Sequence, residues 1–336
     1  MKAIVTGANG FVGSHLCKYL LGQGVDVHAL VRKTSDLFLL KDLVPDLKGI
    51  TLEYGDITSI DSLKEAFANK DVIFNAAGII KGTKQETYDR VNVDGFKNVC
   101  DAVLEVNPNV ETVIMFSSQA AAGPSKLGQI MTEDDEPVPM ERDMYGISKL
   151  RMEQAIKPYM DKLPISIVRP PSVFGPGDVV TFDLFNAAKV GLKAVIGKRK
   201  MPYSIVDVTD LCEGVYLMAT TPDAIGNVFY FTTGEPTDWN ALPDLIGETC
   251  FGKKKPLRTL WLTTRSALLV AGLLEFFAKF TRKTPFLNKS KMIEGSATGW
   301  AVSSDKAKKL LGWQPRHTIE SSMQEAATWF KEHGWL

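Results

Sequence analysis

Tyr145 and Lys149 stand four residues apart in the segment DMYGISKLRME, residues 143–153. On a helix this spacing places both side chains on one face. An unperturbed tyrosine has a pKa of about 10, so it is a poor acid or base at neutral pH. A nearby positive charge favours the phenolate and lowers that pKa, and such a tyrosine can exchange a proton with a carbonyl oxygen. The pair is therefore a candidate acid/base device, provided that other residues bring a reacting group to it.

Two serines form a second candidate. Ser117 and Ser118 close the run VIMFSS, which has the composition of a buried strand. A serine hydroxyl at this point could hold a substrate oxygen and stabilise the charge that develops on it. Ser118 is favoured because it is the last serine before the turn, and Ser117 stays the alternative. A lone serine at a strand end is more often a turn former.

The glycine-rich segment TGANGFVG, residues 6–13, predicts a dinucleotide site. Gly7 permits a tight turn, Gly10 lets the backbone approach a pyrophosphate, and Gly13 lets the following helix lie close to the sheet. The N-terminus of that helix offers unpaired N–H groups to the phosphates. A strand-like run precedes the segment and a helical pattern follows it, as a dinucleotide fingerprint requires. A bound dinucleotide would also place a positively charged oxidised nicotinamide beside Tyr145.

The end of the second strand-like run favours NADP(H) over NAD(H). About 20 positions past the glycine loop an acidic residue would bind the ribose 2′-hydroxyl of NAD. The segment here reads LVRKTSD, with Val31 at that place and Arg32 and Lys33 beside it. A guanidinium fork matches the oxygens of a 2′-phosphate. The alternative is that Arg32 makes only a surface ion pair.

Alternating short apolar runs and helical patterns position these residues. Strand-like runs are predicted at 2–6, 25–31, 50–54, 71–77, 111–118 and 165–170. Helical patterns lie between them, and this alternation predicts parallel pairing with right-handed crossovers. The fold class is therefore α/β, a doubly wound parallel Rossmann sheet with a smaller, interleaved C-terminal α/β substrate domain.

Beyond residue 170 the chain is predicted to leave the sheet and to return. The loop RPPSVFGPGD is rich in Pro and Gly, whereas 203–208 and 227–233 again look like strands. We expect residues 1–170 plus about 203–233 to form the dinucleotide-binding domain. Residues 171–202 plus 234–336 would form the substrate-binding domain. The tail from residue 303 predicts two amphipathic helices around a Pro-containing turn, with Ser303 or Ser304 and Thr318 as N-caps.

Composition limits the class of partner. Lys plus Arg equal Asp plus Glu at 39 each, which gives no reason to expect binding to nucleic acid. The partner is expected to be a small molecule. No spacing typical of a metal site, and no Cys-x-x-Cys pair, is present among the cysteines and histidines, so no metal is expected. Scattered reduced thiols favour a cytoplasmic location. The cysteines of the chain are Cys17, Cys100, Cys212 and Cys250, and its histidines are His15, His28, His317 and His333.

One apolar stretch leaves two interpretations open. ALLVAGLLEFFAKF, residues 267–280, contains Glu275 and is shorter than the roughly 20 residues of a membrane-spanning helix. A buried helix is favoured, and peripheral membrane contact is the alternative. If the wider region 259–280 lined the pocket, the substrate would be bulky and hydrophobic.

The motifs together resemble the extended short-chain dehydrogenases/reductases over essentially the whole chain. The matching stretches are TGANGFVG, GDI (55–57), NAAG (75–78), VNVDGFKNV (91–99), FSS (116–118), YGISK (145–149), VRPPSVFGPGD (168–178) and SSDKAKKLLGWQP (303–315). The resemblance implies that Ser118, Tyr145 and Lys149 are catalytic, with Lys149 also bonding the nicotinamide ribose. It implies a homodimer as well. Asn92 matches a family asparagine near the substrate, although a structural role is equally open.

The same resemblance implies a set of cofactor-binding residues. These are Gly7, Asn9, Gly10, Phe11, Val12, Gly13, Arg32, Lys33, Asp56, Ile57, Ala76, Ala77, Gly78, Tyr145, Lys149, Pro170 and Val173.

Two enzyme branches share these parts, and the sequence favours one. The favoured branch is an oxidoreductase that exchanges NADP(H) at each turnover, as in dihydroflavonol-reductase-like and 3β-hydroxysteroid-dehydrogenase-like members. The alternative is a sugar-nucleotide epimerase or dehydratase that retains NAD. Pro171 and Ser172 stand near where such enzymes often carry an asparagine, and Met201 near where many carry an arginine. Lys198, Arg199 and Lys200 could replace that arginine, so the epimerase or dehydratase branch stays open. A non-catalytic dinucleotide sensor is a third, less favoured hypothesis, because the chain keeps both Tyr145 and Lys149.

Overall fold

The computed structural model describes residues 1–196, 200–263, 266 and 297–336. The strands in these ranges are β1 (Lys2–Thr6), β2 (Asp26–Val31), β3 (Ile50–Tyr54), β4 (Val72–Asn75), β5 (Thr112–Phe116), β6 (Ile165–Val168), β7 (Ser172–Phe174), β8 (Leu192–Ile196), β9 (Pro202–Tyr203), β10 (Ile205–Asp207), β11 (Val228–Phe229), β12 (Thr237–Asp238) and β13 (Arg258–Leu262). The α-helices there are α1 (Phe11–Gly22), α2 (Phe38–Leu43), α3 (Asp61–Phe67), α4 (Gln85–Tyr88), α5 (Gly95–Val106), α6 (Gln119–Ala122), α7 (Met144–Ile156), α8 (Phe182–Val190), α9 (Val208–Thr220), α10 (Leu242–Phe251), α11 (Asp305–Leu311) and α12 (Ile319–Glu332).

A seven-stranded sheet in the order β11-β6-β5-β4-β1-β2-β3 forms the centre of the molecule. All six pairings within it are parallel. Consecutive strands β1, β2 and β3 run to one side, and β4, β5 and β6 run to the other. The predicted doubly wound Rossmann-type sheet is therefore confirmed, and the strands β1 to β6 lie within the six predicted runs.

The apolar strands are buried because helices cover both faces of the sheet. On one face, Leu16 of α1 and Leu211 of α9 pack with Trp313 in a single cluster. On the other face, Phe67 of α3 and Phe96 of α5 pack with neighbouring strand residues. Each fully buried Phe or Leu side chain contributes roughly 1.5–3 kcal/mol through loss of water contact.

The chain after β6 also builds a smaller region. Within the described residues this region contains three two-stranded sheets, which pair β7 with β10, β8 with β13 and β9 with β12. Phe174, Phe185 and Ile246 pack with Phe330 in its core. Of the two late strand-like runs, 227–233 contributes β11 to the main sheet. The run at 203–208 contributes β9 and β10, which pair outside that sheet because β7 has already left it after Pro170 and Pro171.

The C-terminal tail forms the two predicted helices, α11 and α12. Ser304 is the N-cap residue of α11, and Thr318 caps α12 in a reciprocal arrangement with Ser321. The indole N–H of Trp313, which lies between the helices, donates to the carbonyl of Asp210 on α9 at 3.0 Å. The tail therefore packs against a helix of the main sheet through Trp313, and against the smaller region through Phe330.

The apolar region 259–280 is only partly described. Its first residues form β13, which pairs in parallel with β8. Lys198, Arg199 and the stretch 267–280 lie outside the described residues. Among the helices of the described ranges, none combines the length and the apolar character needed to cross a bilayer.

Candidate active site and dinucleotide groove

Strand register brings the candidate residues to one edge of the sheet. Thr6 at the end of β1 pairs with Leu30 of β2 and with Asn75 of β4. Phe116 at the end of β5 pairs with Val168 of β6. The segments that follow these strands therefore leave the sheet side by side, at the carboxyl edge where open α/β sheets bind ligands.

The glycine loop is fixed by close backbone approaches. Gly7 has a φ of +65°, and a Cβ built on it would lie 2.8 Å from Ala77 Cα. A Cβ on Gly13 would lie 2.2 Å from the carbonyl oxygen of Gly7. Only glycine leaves room at both positions, as the sequence pattern predicts for a loop that folds tightly onto the sheet.

The N-terminus of α1 is open to an anion. Its N-cap residue is Gly10, so no side chain accepts from the first-turn N–H groups, and no acidic residue lies in that turn. Gly10 is exposed, and Asn9, Phe11 and Val12 beside it are half-buried. An uncapped helix start with positive dipole is the feature that a pyrophosphate needs, so these residues fit the dinucleotide.

Polar bonds hold the loop after β4 against the glycine loop. Thr6 Oγ1 donates to Asn75 Oδ1 at 2.6 Å and accepts from the N–H of Ala77 at 3.0 Å. Ala76 and Ala77 are half-buried and Gly78 is exposed. The small residues of this loop therefore lie directly against the glycine loop, and the two loops together would line the predicted dinucleotide groove.

The predicted binding site for the adenosine ribose has one buried apolar residue followed by two exposed cations. Val31, at the place of the missing acid, is 3% exposed. Arg32 and Lys33 follow it and are exposed. Among the described residues the Arg32 guanidinium makes no ion pair, so the alternative of a surface ion pair finds no support there.

Asp56 and Ile57 follow β3 at the same edge. Asp56 Oδ1 accepts from the N–H and the hydroxyl of Thr58 at 2.9 and 2.8 Å. Ile57 is buried, and a Cβ on Gly95 would lie 2.8 Å from its Cδ1. These contacts fix the positions of both residues at the carboxyl edge of the sheet, and their role beside the adenine stays a prediction.

The reacting pair begins α7. The carboxylate of Asp143 accepts from the N–H of Tyr145 at 3.1 Å and so caps the helix. A Cβ on Gly146, the next residue, would lie 2.5 Å from the carbonyl oxygen of Ala120 on α6. Because α6 starts immediately after Ser118, this contact packs the Tyr145 turn directly against the Ser118 turn. The Tyr145 ring also lies 6.3 Å from the ring of Tyr88, centroid to centroid.

Lys149 is 4% exposed and lies one turn below Tyr145. Its Nζ donates to the carbonyl oxygen of Phe116 at 2.7 Å and lies 4.7 Å from the centre of the Phe96 ring. A Cβ on Gly78 would lie 3.4 Å from this Nζ. Burial lowers the Lys149 pKa to about 7, and the Glu153 carboxylate acts in the opposite direction. The side chain of Lys149 is therefore buried at the carboxyl edge of the sheet, between the end of β5 and the loop after β4.

The two serines have different surroundings. Ser117 is 5% exposed, and its hydroxyl donates to Glu153 Oε1. Ser118 is half-buried, and its Oγ accepts from the N–H of Ala120 at 3.2 Å, which caps α6. Because Ser118 Oγ is the acceptor in this bond, its hydroxyl hydrogen can still be donated to another oxygen. The geometry supports Ser118, rather than Ser117, as the serine that faces a substrate.

A buried ion pair behind the serines was missed by the sequence reasoning. Arg169 donates from Nε and Nη2 to the two carboxylate oxygens of Glu153, at 2.9 and 2.6 Å. Its Nη1 donates to the hydroxyl of Tyr230 at 3.2 Å. The available signal was the spacing of Glu153, four residues past Lys149 and on the same helix face.

Asn92 has a structural environment. It lies fully buried in a π-helical turn, Asp89–Asp94. Its amide group donates to the carbonyl of Ile79 and to Ser148 Oγ, both at 3.0 Å, and its oxygen accepts from the N–H of Ile79 at 2.9 Å. It therefore fixes the loop after β4 to α7. π-Helical turns of this kind are frequent at functional sites.

Pro170 and Val173 lie on the segment that follows β6, and their contact with the cofactor stays a prediction. The carbonyl of Pro170 accepts from the N–H of Gln119 at 2.9 Å, which joins the end of β6 to α6. Val173 is half-buried and pairs with Val206 in the β7–β10 sheet. Both residues lie on the segment that carries the chain from the main sheet toward the smaller region.

One histidine has carboxylate neighbours that the sequence spacing does not reveal. Asp207, His317 and Glu325 each bring one possible ligand atom within 4.8 Å of the others. His317 Nδ1 lies 2.8 Å from Asp210 Oδ1. The His317 pKa is raised, because these carboxylates outweigh the opposing effect of burial. We interpret the group as an ion-pair cluster that joins the tail to α9.

Comparison with known proteins agrees with this geometry. The family model described as the NAD dependent epimerase/dehydratase family matches residues 3–231. Sterol-4-alpha-carboxylate 3-dehydrogenase, decarboxylating, of Saccharomyces cerevisiae is 27% identical, over 98% of this chain and 98% of its own. 3-beta-Hydroxysteroid dehydrogenase of Mycolicibacterium neoaurum is 27% identical, over 98% of this chain and 92% of its own. The crystal structure of a UDP-glucose 4-epimerase from Thermotoga maritima, with UDP-glucose, superposes with a TM-score of 0.77 at 20% identity and covers 99% of both chains.

The fold and the site define an NAD(P)-dependent enzyme of the extended short-chain dehydrogenase/reductase type, which acts on CH–OH and C=O groups. The chain belongs to the NAD dependent epimerase/dehydratase family.

Proposed function

We propose that this protein is an NADP(H)-dependent oxidoreductase that interconverts a carbonyl and a hydroxyl on a small hydrophobic molecule, with Tyr145 as acid and base. The observation that carries the proposal is the placement of Lys149. Its buried Nζ is bonded to the Phe116 carbonyl at the carboxyl edge of the sheet, one helical turn from Tyr145. Burying an ammonium group costs free energy, and the single hydrogen bond to Phe116 offsets only part of that cost. A role in the reaction would explain why a lysine stands at this position.

The cofactor would lie across the sheet edge. The N-terminus of α1, from Gly10 to Gly13, would bind its pyrophosphate, and Asp56 and Ile57 would flank the adenine. Ala76, Ala77 and Gly78 would line the groove toward the nicotinamide, with Pro170 and Val173 opposite. When bound, the nicotinamide supplies hydride to a carbonyl carbon or accepts it from an alcohol carbon.

The side chains of the reacting end would handle the proton and the substrate oxygen. In reduction, the Tyr145 hydroxyl donates its proton to the substrate oxygen, and the Lys149 ammonium stabilises the phenolate that remains. The Ser118 hydroxyl donates a hydrogen bond to the same oxygen and stabilises its developing charge. In oxidation, the phenolate takes the proton back from the alcohol.

Preference for NADP(H) is supported by Val31, Arg32 and Lys33. A buried valine stands where an NAD-specific acid would bind the ribose. The exposed Arg32 guanidinium has no carboxylate partner among the described residues, so it can bind a 2′-phosphate without first breaking an ion pair.

A hydrophobic substrate is supported by the relatives and by one loop. The two relatives described above are named for sterol and steroid substrates. In this chain the loop after β4 carries Ile80, which is 52% exposed. Tyr88 of α4, the helix that follows this loop, lies beside the Tyr145 ring. We therefore propose a sterol-like or other polycyclic ketone and alcohol pair.

Three further properties complete the proposal. We retain the division into a dinucleotide-binding domain (1–170 plus about 203–233) and a substrate-binding domain (171–202 plus 234–336). A homodimer is supported by the family resemblance alone. A cytoplasmic location is supported by the four cysteines, all of which are free thiols.

Release of bound nucleotide tests the branch of the family. Freshly purified protein is denatured, and any nucleotide released is identified. We expect empty protein or NADP(H), followed by NADPH-dependent turnover on a panel of 3-ketosteroids, other polycyclic ketones and the corresponding alcohols. Stoichiometric NAD, with no turnover on the panel, would contradict the proposal and favour the sugar-nucleotide epimerase or dehydratase. NADPH binding without turnover of any carbonyl or alcohol would instead favour a dinucleotide sensor.

A further inference from the structure

Glu153 is buried at the junction of three elements that build the reacting end. It lies on α7, one turn beyond Lys149, and is 9% exposed. Its carboxylate accepts two hydrogen bonds from Arg169, at 2.9 and 2.6 Å, and one from the Ser117 hydroxyl. A carboxylate at this depth is stable because each oxygen is paired with a donor.

The partners of Glu153 lie at the ends of neighbouring strands. Ser117 follows β5 and Arg169 follows β6, and the Ser117 N–H donates to the Val168 carbonyl at 2.8 Å. Ser117 also stands between Phe116, whose carbonyl accepts from Lys149, and Ser118. One carboxylate therefore ties the helix of Tyr145 and Lys149 to the strand end that presents Ser118.

Glu153 is also the negative charge that acts on Lys149. Burial lowers the Lys149 pKa, and the Glu153 carboxylate raises it. The ionisable or hydrogen-bonding groups near Glu153 in the described part of the chain are Lys149 on its own helix, Ser117 after β5, Arg169 after β6 and Tyr230 after β11. Tyr230 lies behind Arg169 and donates nothing to the carboxylate directly.

We propose that Glu153 is a positioning residue for proton transfer: it holds Ser118 in register with Tyr145, and it helps to keep the Lys149 ammonium charged at neutral pH. The inference rests on the proposed function, because it assigns to Glu153 a role in that reaction. It predicts two separable effects, one on the pH dependence of turnover and one on its maximum rate.

The charge effect is tested with Glu153→Gln. Without the carboxylate, Lys149 loses its proton at lower pH, so the phenolate of Tyr145 loses its stabilising ammonium. The pH limb of alcohol oxidation, measured as kcat/KM for the best alcohol of the panel with NADP+, should move to higher pH by at least about half a unit. Glu153→Asp, which keeps the charge on a shorter side chain, should leave the limb in place and lower kcat.

The double variant Glu153→Gln/Arg169→Gln guards against a folding failure. It removes both buried charges, so no guanidinium is left unpaired. It should fold, and its kcat should fall because the tie between α7 and the strand ends is lost, whereas its limb should move less than that of Glu153→Gln because the removed guanidinium also acted on Lys149. Glu213→Gln is the matched control, because Glu213 also forms a Glu–Arg contact, with the exposed Arg316, away from the reacting end. Its pH profile should equal that of the wild type.

The register effect is tested with Ser117→Ala, which removes one hydrogen bond and leaves all charges. We expect kcat to fall about threefold to tenfold, which corresponds to the net free energy of one hydrogen bond, and KM for NADPH to stay unchanged. Loss of stability with an unchanged kcat would show that Ser117 only supports the fold.

The failures of the two proposals are distinguishable. If Tyr145→Phe retains turnover, the proposed function itself is wrong. If Tyr145→Phe abolishes turnover while folded Glu153→Gln keeps the wild-type pH limb, or while the double variant keeps the wild-type kcat, the role of Glu153 is overturned alone.

Discussion

The proposed phosphate end of the groove and the proposed reacting end are built from different parts of the chain. At the phosphate end the backbone of residues 7–13 would bind the cofactor, and Gly7 and Gly13 matter because a side chain would not fit there. At the reacting end, side chains of α7 would carry out the proton transfer, held by a buried network that joins positions far apart in sequence. The first end depends on space and the second on charge. Substitutions at the two ends should therefore change different measured quantities.

Tyr145→Phe should have the largest effect, and on chemistry alone. Loss of the phenol removes the proton donor, so kcat should fall about a thousandfold, within the range of general acid–base catalysis. NADPH affinity, measured by fluorescence titration, should stay within about twofold. Tyr159→Phe is the control, since Tyr159 bonds Asp101 on α5 and lies outside the groove. Equal loss of NADPH binding in Tyr145→Phe would contradict the separation of the two ends.

Gly13→Ala should have the converse effect. The added methyl group would lie 2.2 Å from the Gly7 carbonyl oxygen, so the loop must move away from the helix start. We expect the dissociation constant of NADPH to rise about a hundredfold, because the pyrophosphate contacts depend on that geometry. Gly22→Ala, at the other end of the same helix, meets nothing within 4 Å and should bind normally. A Gly13→Ala protein with normal NADPH affinity would show that the glycine loop is not the phosphate site.

Arg32→Ala should have a smaller and selective effect. Removal of the guanidinium should weaken NADPH about tenfold, the value of a charge-assisted hydrogen bond, and change NADH little. Lys48→Ala, which removes another exposed cation, is the control and should leave both affinities unchanged. Equal weakening of NADPH and NADH would remove the basis for NADP(H) preference.

Lys149 should produce the smallest change, in the pH dependence of stability. Its pKa is near 7 in the folded protein and has the usual value of 10.5 in the unfolded chain. Between these values the unfolded chain binds more protons, so the Lys149 contribution to stability rises with pH from about 7 upward. The free energy of unfolding of the wild type, relative to Lys149→Met, should therefore increase between pH 7 and pH 9. Urea unfolding should show a difference on the order of 1–2 kcal/mol, and parallel pH curves would contradict it.

The same contrast explains which parts of the molecule the sequence could predict. The glycine loop, the six strands and the Tyr145/Lys149 pair are encoded by local spacing, and the structure has the strands and the helix where the spacing places them. The partners of Glu153 could not be found in this way, because Ser117 and Arg169 reach it only through the pairing of β5 with β6. The approach of His317 to Asp210, more than 100 residues away, likewise depends on the packing of the tail. Placement of β10 outside the main sheet was missed because a strand-like run does not specify its partner.

The central claim concerns the ionisation of one phenol. An ultraviolet difference titration between the wild type and Tyr145→Phe, both saturated with NADP+, measures the phenolate of Tyr145 directly. The account predicts that this phenolate appears at least one pH unit below the pKa of an ordinary tyrosine. The oxidised nicotinamide stabilises the phenolate, and the phenolate and the Lys149 ammonium stabilise each other, which raises the Lys149 pKa above its value in the empty protein. A phenolate that appears at the pH of an ordinary tyrosine, or above it, would contradict the account.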